Sequence, residues 1–293
     1  MSESTVLEFT GERFTPECVR EIWYEHMHRY AFAAPHAQGR QVLDAACGEG
    51  YGAALLAQNG ASAVLGIDVS ASAIAHAQRR YGSLPGLRFA EADVTQLDHL
   101  PAASFDLIVS FETLEHLHAQ ERMVAGFRRL LRPDGLLILS SPDKKTYSEA
   151  SGFHNEFHVR ELYREELETL LAREFPAVRL LGQKLLFQSL IYDLEQPPRA
   201  GQAQVLDQDG RISQGPDYPP VYYIALCALT AERLAAIAPG LHLFGDRAES
   251  VYAHYYHEIR KNMQAGGVIA DLVAQLEAAR AEIARLSAPT IAP

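Results

Sequence analysis

Short apolar runs alternate along the chain with longer stretches in which apolar positions recur every three or four residues. The first periodic stretch opens at Thr15-Pro16-Glu17: a hydroxyl cap, a proline suited to the first helical turn, and an acid that complements the helix dipole. Val19, Ile22, Trp23, His26 and Tyr30 follow at helical spacing, which predicts a helix over about 16–34. From Gln41 the pattern changes. Compact apolar runs at 41–44, 64–68, 87–91, 105–111 and 136–140 read as strands. The periodic stretches 51–59, 71–81, 119–131 and 161–174 read as helices, the second placed for capping by Ser70. Arg132-Pro133-Asp134-Gly135 cannot continue the third of these helices. The run after it, apolar throughout, suits a parallel strand covered on both faces. Two last runs, 178–190 and 221–229, read as strands that pair antiparallel. Strand alternating with helix predicts an α/β fold built on a doubly wound seven-stranded sheet.

This pattern divides the chain into an N-terminal helical lid over 1–36, a main domain over 37–229 and a helical tail over 230–293. A stretch near 195–220, rich in Gln, Pro, Gly and Asp, is too long for an ordinary connection and reads as a surface insertion or a flap. In the tail, Ile269, Leu272, Leu276, Ala279, Ile283 and Leu286 are spaced alternately three and four apart, a short heptad seam. Such a helix packs on its own domain, pairs with another copy or docks on a partner.

Composition narrows the function. The 293 residues are 48% hydrophobic and 22% charged, which excludes a disordered or collagen-like chain. A net charge of −11 argues against nucleic acid as a partner. Three distant cysteines suggest neither a disulfide framework nor a zinc knuckle. The first residues lack a basic region followed by an apolar run, and no apolar stretch approaches the ~20 residues of a membrane span. The expected compartment is the cytoplasm.

The most informative segment is Asp44-Ala45-Ala46-Cys47-Gly48-Glu49-Gly50-Tyr51-Gly52, which leaves a strand and enters a helix. Its glycines let the backbone turn sharply and approach a ligand. A dinucleotide loop would show GxGxxG, but position 53 is alanine. Asp44, just before the turn, favours a cationic ligand. Asp68 ends the second strand, where a carboxylate can accept both hydroxyls of a ribose. Asp93-Val94 follows the third, where the acid can accept from an adenine amino group and its neighbour can cover the ring. Three acids and a glycine turn thus gather at the carboxyl ends of consecutive strands.

Over roughly 40–190 these features resemble the class I S-adenosylmethionine-dependent methyltransferases, a Rossmann-like family. The resemblance implies S-adenosyl-L-methionine as cofactor. It places Gly48, Gly50 and Gly52 at the methionine part, Asp68 at the ribose and Asp93 at the adenine. Asp44 would orient the loop and the methionine amino group. The turn before strand five matches the family's, with Asp134 replacing its commoner first glycine.

The acceptor side follows strand four, at Phe111-Glu112-Thr113-Leu114-Glu115-His116-Leu117. In a helical turn Glu112, Glu115 and His116 share a face, where the carboxylates raise the basicity of His116. His116 or His158, with Glu115, is the candidate base. The E-x-x-E-H spacing also resembles a divalent-metal site of certain small-RNA 2′-O-methyltransferases and quinone-ring O-methyltransferases, with His154 or His158 as a distant fourth ligand. A third reading is purely structural support of the cofactor pocket. Gly11-Glu12-Arg13-Phe14-Thr15-Pro16-Glu17, the segment from Glu25 to Tyr30, and the stretch from Asn155 to Glu161 resemble bacterial methyltransferases associated with surface polysaccharide assembly. Arg13, His28, Arg29 and His154 are accordingly candidate acceptor-binding residues. The leading expectation is O-methylation of a sugar or sugar phosphate of a surface glycan. The alternatives are metal-assisted O-methylation of an aromatic or quinone-precursor hydroxyl, and a non-catalytic cofactor-binding scaffold.

Overall fold

The structure is a computed structural model and describes residues 21–191, 194–195, 203–206, 208–216 and 218–287. The described residues form two compact units divided between Phe244 and Gly245. In the first, helix α1 (Glu21–Ala37) precedes β1 (Gln41–Ala45), α2 (Tyr51–Gln58), β2 (Ala63–Asp68), α3 (Ala71–Tyr81), β3 (Leu87–Glu91) and β4 (Phe105–Ser110). Then follow α4 (Gln120–Leu130), β5 (Leu131–Pro142), α5 (Arg164–Ala172), β6 (Ala177–Gln183), a hairpin of β7 (Gln204–Leu206) and β8 (Ile212–Gln214), β9 (Tyr222–Ala228) and α6 (Ala231–Ala235). Seven strands form one sheet in the order β3-β2-β1-β4-β5-β9-β6. Its first five are parallel, and β9 runs antiparallel to both β5 and β6. The strand order reverses between β1 and β4, and ligands of open α/β sheets bind beside the strand ends at such a point.

Two apolar layers hold this sheet. Leu43, Ile108, Leu137 and Leu139 face α4 and α5 through Met123, Phe127, Leu167 and Leu171. Val42, Val109, Leu136, Ile138 and Leu226 face the opposite layer, where Tyr30, Ala33 and Ala37 of α1 join Ala53 and Leu56 of α2. The central strands are therefore apolar on both faces, as their composition predicted.

Four boundaries differ from the sequence reading. Helix α1 continues through Pro35 to Ala37, and the part expected before Glu21 lies outside the described residues. Strand β5 begins at Leu131, which pairs with Phe105; pairing resumes as Leu136 with Leu107, so Arg132-Pro133-Asp134-Gly135 forms a bulge within the strand. Strand β6 stops at Gln183 instead of reaching 190, because its partner β9 starts at Tyr222, behind Pro219-Pro220, and prolines cannot donate to a ladder. The tail boundary moves from 229/230 to 244/245. Arg179 holds the stretch after β9 by donating to the carbonyls of Leu234 and Ile237 at 2.6 and 2.8 Å, while His242 packs edge-on to Phe32.

The second unit contains α7 (Ser250–Leu286), along which Ile269, Leu272, Leu276, Ile283 and Leu286 are each more than half exposed. Among the described residues no helix is long and apolar enough to cross a membrane.

Candidate functional site

The glycine turn lies between β1 and α2, at the reversal point. Gly48 and Gly50 adopt positive φ values of 53° and 80°. A Cβ on Gly50 would meet the Phe89 ring at 2.6 Å, so glycine serves both conformation and packing there. Asp68 draws the turn closed: Oδ2 accepts from Gly48 N and Oδ1 from Ser70 N, both at 2.9 Å. Each oxygen retains a lone pair for further donors. Asp93 accepts from Thr95 N and Oγ1 and from Gln96 Nε2 at 2.7–2.9 Å. Burial works against its charge, but these donors outweigh it and hold the carboxyl below its ordinary range. Val94 lies in the core layer with Ile67 and Leu97.

Asp44 is fully buried at the end of β1. Burial, with a smaller push from Asp68, raises its carboxyl to about 7; hydrogen bonds from Tyr30 and the Ala53 N–H pull the other way. Tyr30 Oη donates to Oδ1 and Oδ2 at 3.1 and 3.3 Å. The Tyr30 ring also occupies the space a Cβ on Gly52 would need, at 1.9 Å. The leading helix thus packs against the glycine turn and Asp44, a contact that its apolar periodicity alone concealed. A buried carboxyl this easily neutralised, beside a backbone cradle, suits a ligand that brings its own positive charge.

On the other side of the reversal point, Leu114–His116 forms a single 3₁₀ turn after β4. Glu112, at φ 51°, turns its carboxylate to Ser140 of β5, whose Oγ donates to Oε1 at 2.6 Å. Arg29 Nη1 faces the same oxygen at 3.5 Å. Arg29 is buried, donates through Nε to Gln183 at 2.8 Å and stacks on the Tyr222 ring at 4.4 Å. Its two terminal nitrogens make no hydrogen bond.

Glu115 points inward, fully buried, and neither carboxylate oxygen has a hydrogen-bond partner. Burial, reinforced by the nearby Glu112, lifts its carboxyl well above the usual range. Beside it His116 Nδ1 lies 3.0 Å from the Phe157 carbonyl, which fixes the proton on Nδ1 and the lone pair on Nε2. His158 is set alike: Nδ1 is 2.6 Å from Glu161 Oε1, and Asn155 Nδ2 donates to Nε2 at 3.0 Å. Ser148 Oγ hydrogen-bonds the second oxygen of Glu161. Ligand atoms of Glu115, His116 and His158 lie within 4.8 Å of one another.

The structure therefore brings Glu115, His116 and His158 together and assigns Glu112 to Arg29 and Ser140. Two imidazoles whose Nδ1 protons are held by oxygen, with one carboxylate, form a donor set suited to a divalent cation. His154 is exposed on the preceding loop, away from this group. His28 stacks on Phe244 at 5.5 Å, and Arg13 lies outside the described residues. Sequence reasoning missed Tyr30, Ser140, Gln183 and Glu161. Only Glu161 carried a local signal, its i,i+3 spacing from His158.

Residues 43–139 match the family described as the methyltransferase domain. A protein of Mycobacterium tuberculosis strain H37Rv, named "Probable S-adenosylmethionine-dependent methyltransferase", is 36% identical over 239 residues, covering 80% of this chain and 84% of the relative. The chain belongs to the class I S-adenosylmethionine-dependent methyltransferases. It is therefore an enzyme with S-adenosyl-L-methionine as cofactor, and the scaffold reading is set aside. A ubiquinone biosynthesis O-methyltransferase of Paracidovorax citrulli is 35% identical over 36% of this chain and 44% of its own. A chain in the complex of the Haloferax volcanii Trm112 methyltransferase activator with a methyltransferase shares the fold. It has a TM-score of 0.50 at 18% identity, over 71% of this chain and 89% of that one.

Proposed function

We propose that this methyltransferase transfers to oxygen, its acceptor a sugar or sugar phosphate of a bacterial surface glycan. Oxygen is favoured by His158, whose proton is held on Nδ1 by a carboxylate 2.6 Å away, so that Nε2, once the Asn155 amide is displaced from it, can take a hydroxyl proton. S-adenosyl-L-methionine, when bound, supplies the activated methyl group. In this reading Asp44, the glycine turn, Asp68 and Asp93 hold it, and Glu115 and His116, which follow β4, act on the acceptor with His158 of the loop between β5 and α5. The terminal nitrogens of buried Arg29, which make no hydrogen bond although Nη1 is ion-paired with Glu112, suit a phosphate or sugar hydroxyls. The glycan itself rests on the resemblance of the leading segment and of the stretch around His158.

A second reading is favoured by the grouping of Glu115, His116 and His158. A divalent cation held there would ionise Glu115 and acidify an acceptor hydroxyl, as in transfer to a quinone precursor. One assay separates the two: methyl-labelled cofactor offered to glycans, sugar phosphates, nucleotide sugars and quinone precursors, with and without chelator. Chelator-resistant label on a sugar oxygen is the expected result. Chelator-sensitive label on an aromatic hydroxyl selects the second reading, and label on nitrogen or carbon alone overturns both.

For α7 we propose pairing with a second copy in parallel. The spacing puts Ile269, Leu276 and Ile283 at a positions and Leu272, Ala279 and Leu286 at d; in a parallel coiled coil, β-branched residues such as Ile269 and Ile283 at a with leucine at d favour two strands. Four acids balance four bases along this helix, so two copies do not repel there despite a chain charge of −11. Leu276→Asp should convert the dimer to monomer in sedimentation equilibrium. A wild-type chain that is monomeric at tens of micromolar, or a dimer that survives the substitution, contradicts the pairing.

A further inference from the structure

A cavity of about 440 Å³ opens at the carboxyl end of β6, and a second of about 240 Å³ adjoins it, sharing His28, Gln183 and His242. Neither is lined by a residue of the glycine turn or of the Glu115, His116 and His158 group. The larger is in the size range of small-molecule sites. Its walls come from α1, the end of β6, the approach to β9 and the stretch after α6.

Those walls mix apolar and polar side chains, with the apolar ones in the larger share. Leu181, Leu185, Leu186, Tyr218 and Phe244 contribute, and Leu243, although 61% exposed, lines the cavity as well. The imidazole of His28 does not make the interior charged. Burial, then the neighbouring His242 and Arg29, lowers it to about 4, so it is neutral at physiological pH. The charged side chains of the cavity are Glu25, Arg164 and Lys184. The run of leucines with Tyr218 and Phe244 along one wall suits a hydrocarbon, and the acid Glu25 disfavours an anionic nucleotide.

Sheet register ties this trough to the reaction site. Pro142 of β5 pairs with Tyr222 of β9, and Tyr222 pairs with Gln183 of β6, so the cavity opens on the edge of the sheet where β4 delivers Glu112 and Glu115. From β4 to β6 is three strand steps, about 15 Å at the usual ~4.8 Å spacing. The side chains of Glu112 and Gln183 converge across that gap on one guanidinium, that of Arg29, at Nη1 and Nε respectively.

We infer that the acceptor is an elongated amphiphile whose hydroxylated head lies at His158 and whose alkyl or prenyl chain fills the cavity at the end of β6. This rests on the proposal of a hydroxyl acceptor and adds an aliphatic part to it. Arg29, between the two, takes the polar junction of the molecule.

The test is calorimetric titration of the full-length protein with monomeric n-alkyl β-glucosides from methyl to octyl, alongside a methyl-transfer assay on the same compounds. Burial of each added methylene should tighten binding about fourfold over the middle of the series. Leu243→Asp, at an exposed position, should flatten that dependence and weaken octyl glucoside more than tenfold, with cofactor affinity unchanged. Leu185→Asp should do the same from another wall. Affinity independent of chain length, or a dependence that survives both substitutions, overturns the inference. Chain-dependent binding without methylation of any glucoside sustains the cavity assignment and counts against the sugar head alone. Methylated glucosides with no chain dependence leave the proposed function standing and remove this addition to it.

Discussion

His158→Ala is expected to lower kcat by about 10²–10⁴ while leaving the dissociation constant of S-adenosyl-L-methionine unchanged, the range over which a positioned base accelerates a proton transfer. The reason is the asymmetry of the ring's contacts. Nδ1 faces a carboxylate at 2.6 Å, and that carboxylate is itself anchored by Ser148, so the proton stays on Nδ1 and Nε2 carries the lone pair. Displacing the Asn155 amide from Nε2 would give an acceptor hydroxyl access to it. Glu161→Gln should show a smaller loss of kcat and a shifted pH–rate profile, because the amide can hold the ring but cannot stabilise the imidazolium. Cofactor affinity is the internal control, since the glycine turn and its acids lie on β1 to β3. If kcat survives His158→Ala, the ring only tethers Asn155 to Glu161 within the loop. If kcat and cofactor affinity fall together, the substitution has disturbed the sheet edge and not the chemistry.

What the sequence disclosed and what it hid follow from the range of the interactions concerned. The parallel strands and their helices were legible because each buries a face whose period is visible within ten residues. The strand at 87–91 and the helix at 71–81 coincide with β3 and α3. The glycine turn was legible because φ values of 53° and 80° restrict residue choice locally. The place of β9 between β5 and β6 was not, since a period of two reports burial and not neighbours. The proline limit on β6 lies some forty residues away in the chain, at Pro219-Pro220. At the site, the E-x-x-E-H turn was visible, but its division of labour was not. Arg29, about eighty residues earlier, draws Glu112 aside, and His158, about forty later, takes the place beside Glu115. Tyr30 looked like one more apolar face residue, because its hydroxyl reaches Asp44 only after α1 has packed on α2.

Tyr30 and Asp44 together set a pH dependence. Cofactor affinity is expected to fall by nearly tenfold per unit as pH drops below about 7, reaching roughly a hundredfold by pH 5. Without cofactor, burial keeps the Asp44 carboxyl protonated up to about 7; a bound ammonium and sulfonium favour the carboxylate, so binding at low pH must release that proton. The cofactor's own amino group, with an ordinary value near ~7.7–8.0, remains charged throughout this window and adds no opposing slope. The sign for stability is the reverse. A carboxyl raised in the folded state contributes most below its unfolded value, and that contribution is lost as pH rises through about 7, so the apo enzyme should lose stability over the interval in which it gains affinity. Thermal unfolding with and without cofactor from pH 5 to 7.5 therefore gives curves that diverge with rising pH. Tyr30→Phe removes the hydrogen bond that favours the carboxylate and should move the midpoint upward. Asp44→Asn should abolish the slope. An affinity that stays level from pH 5 to 7 would mean that the charge of Asp44 is not what the cofactor meets, and the cationic end would then have to be held by some other group at the strand tips.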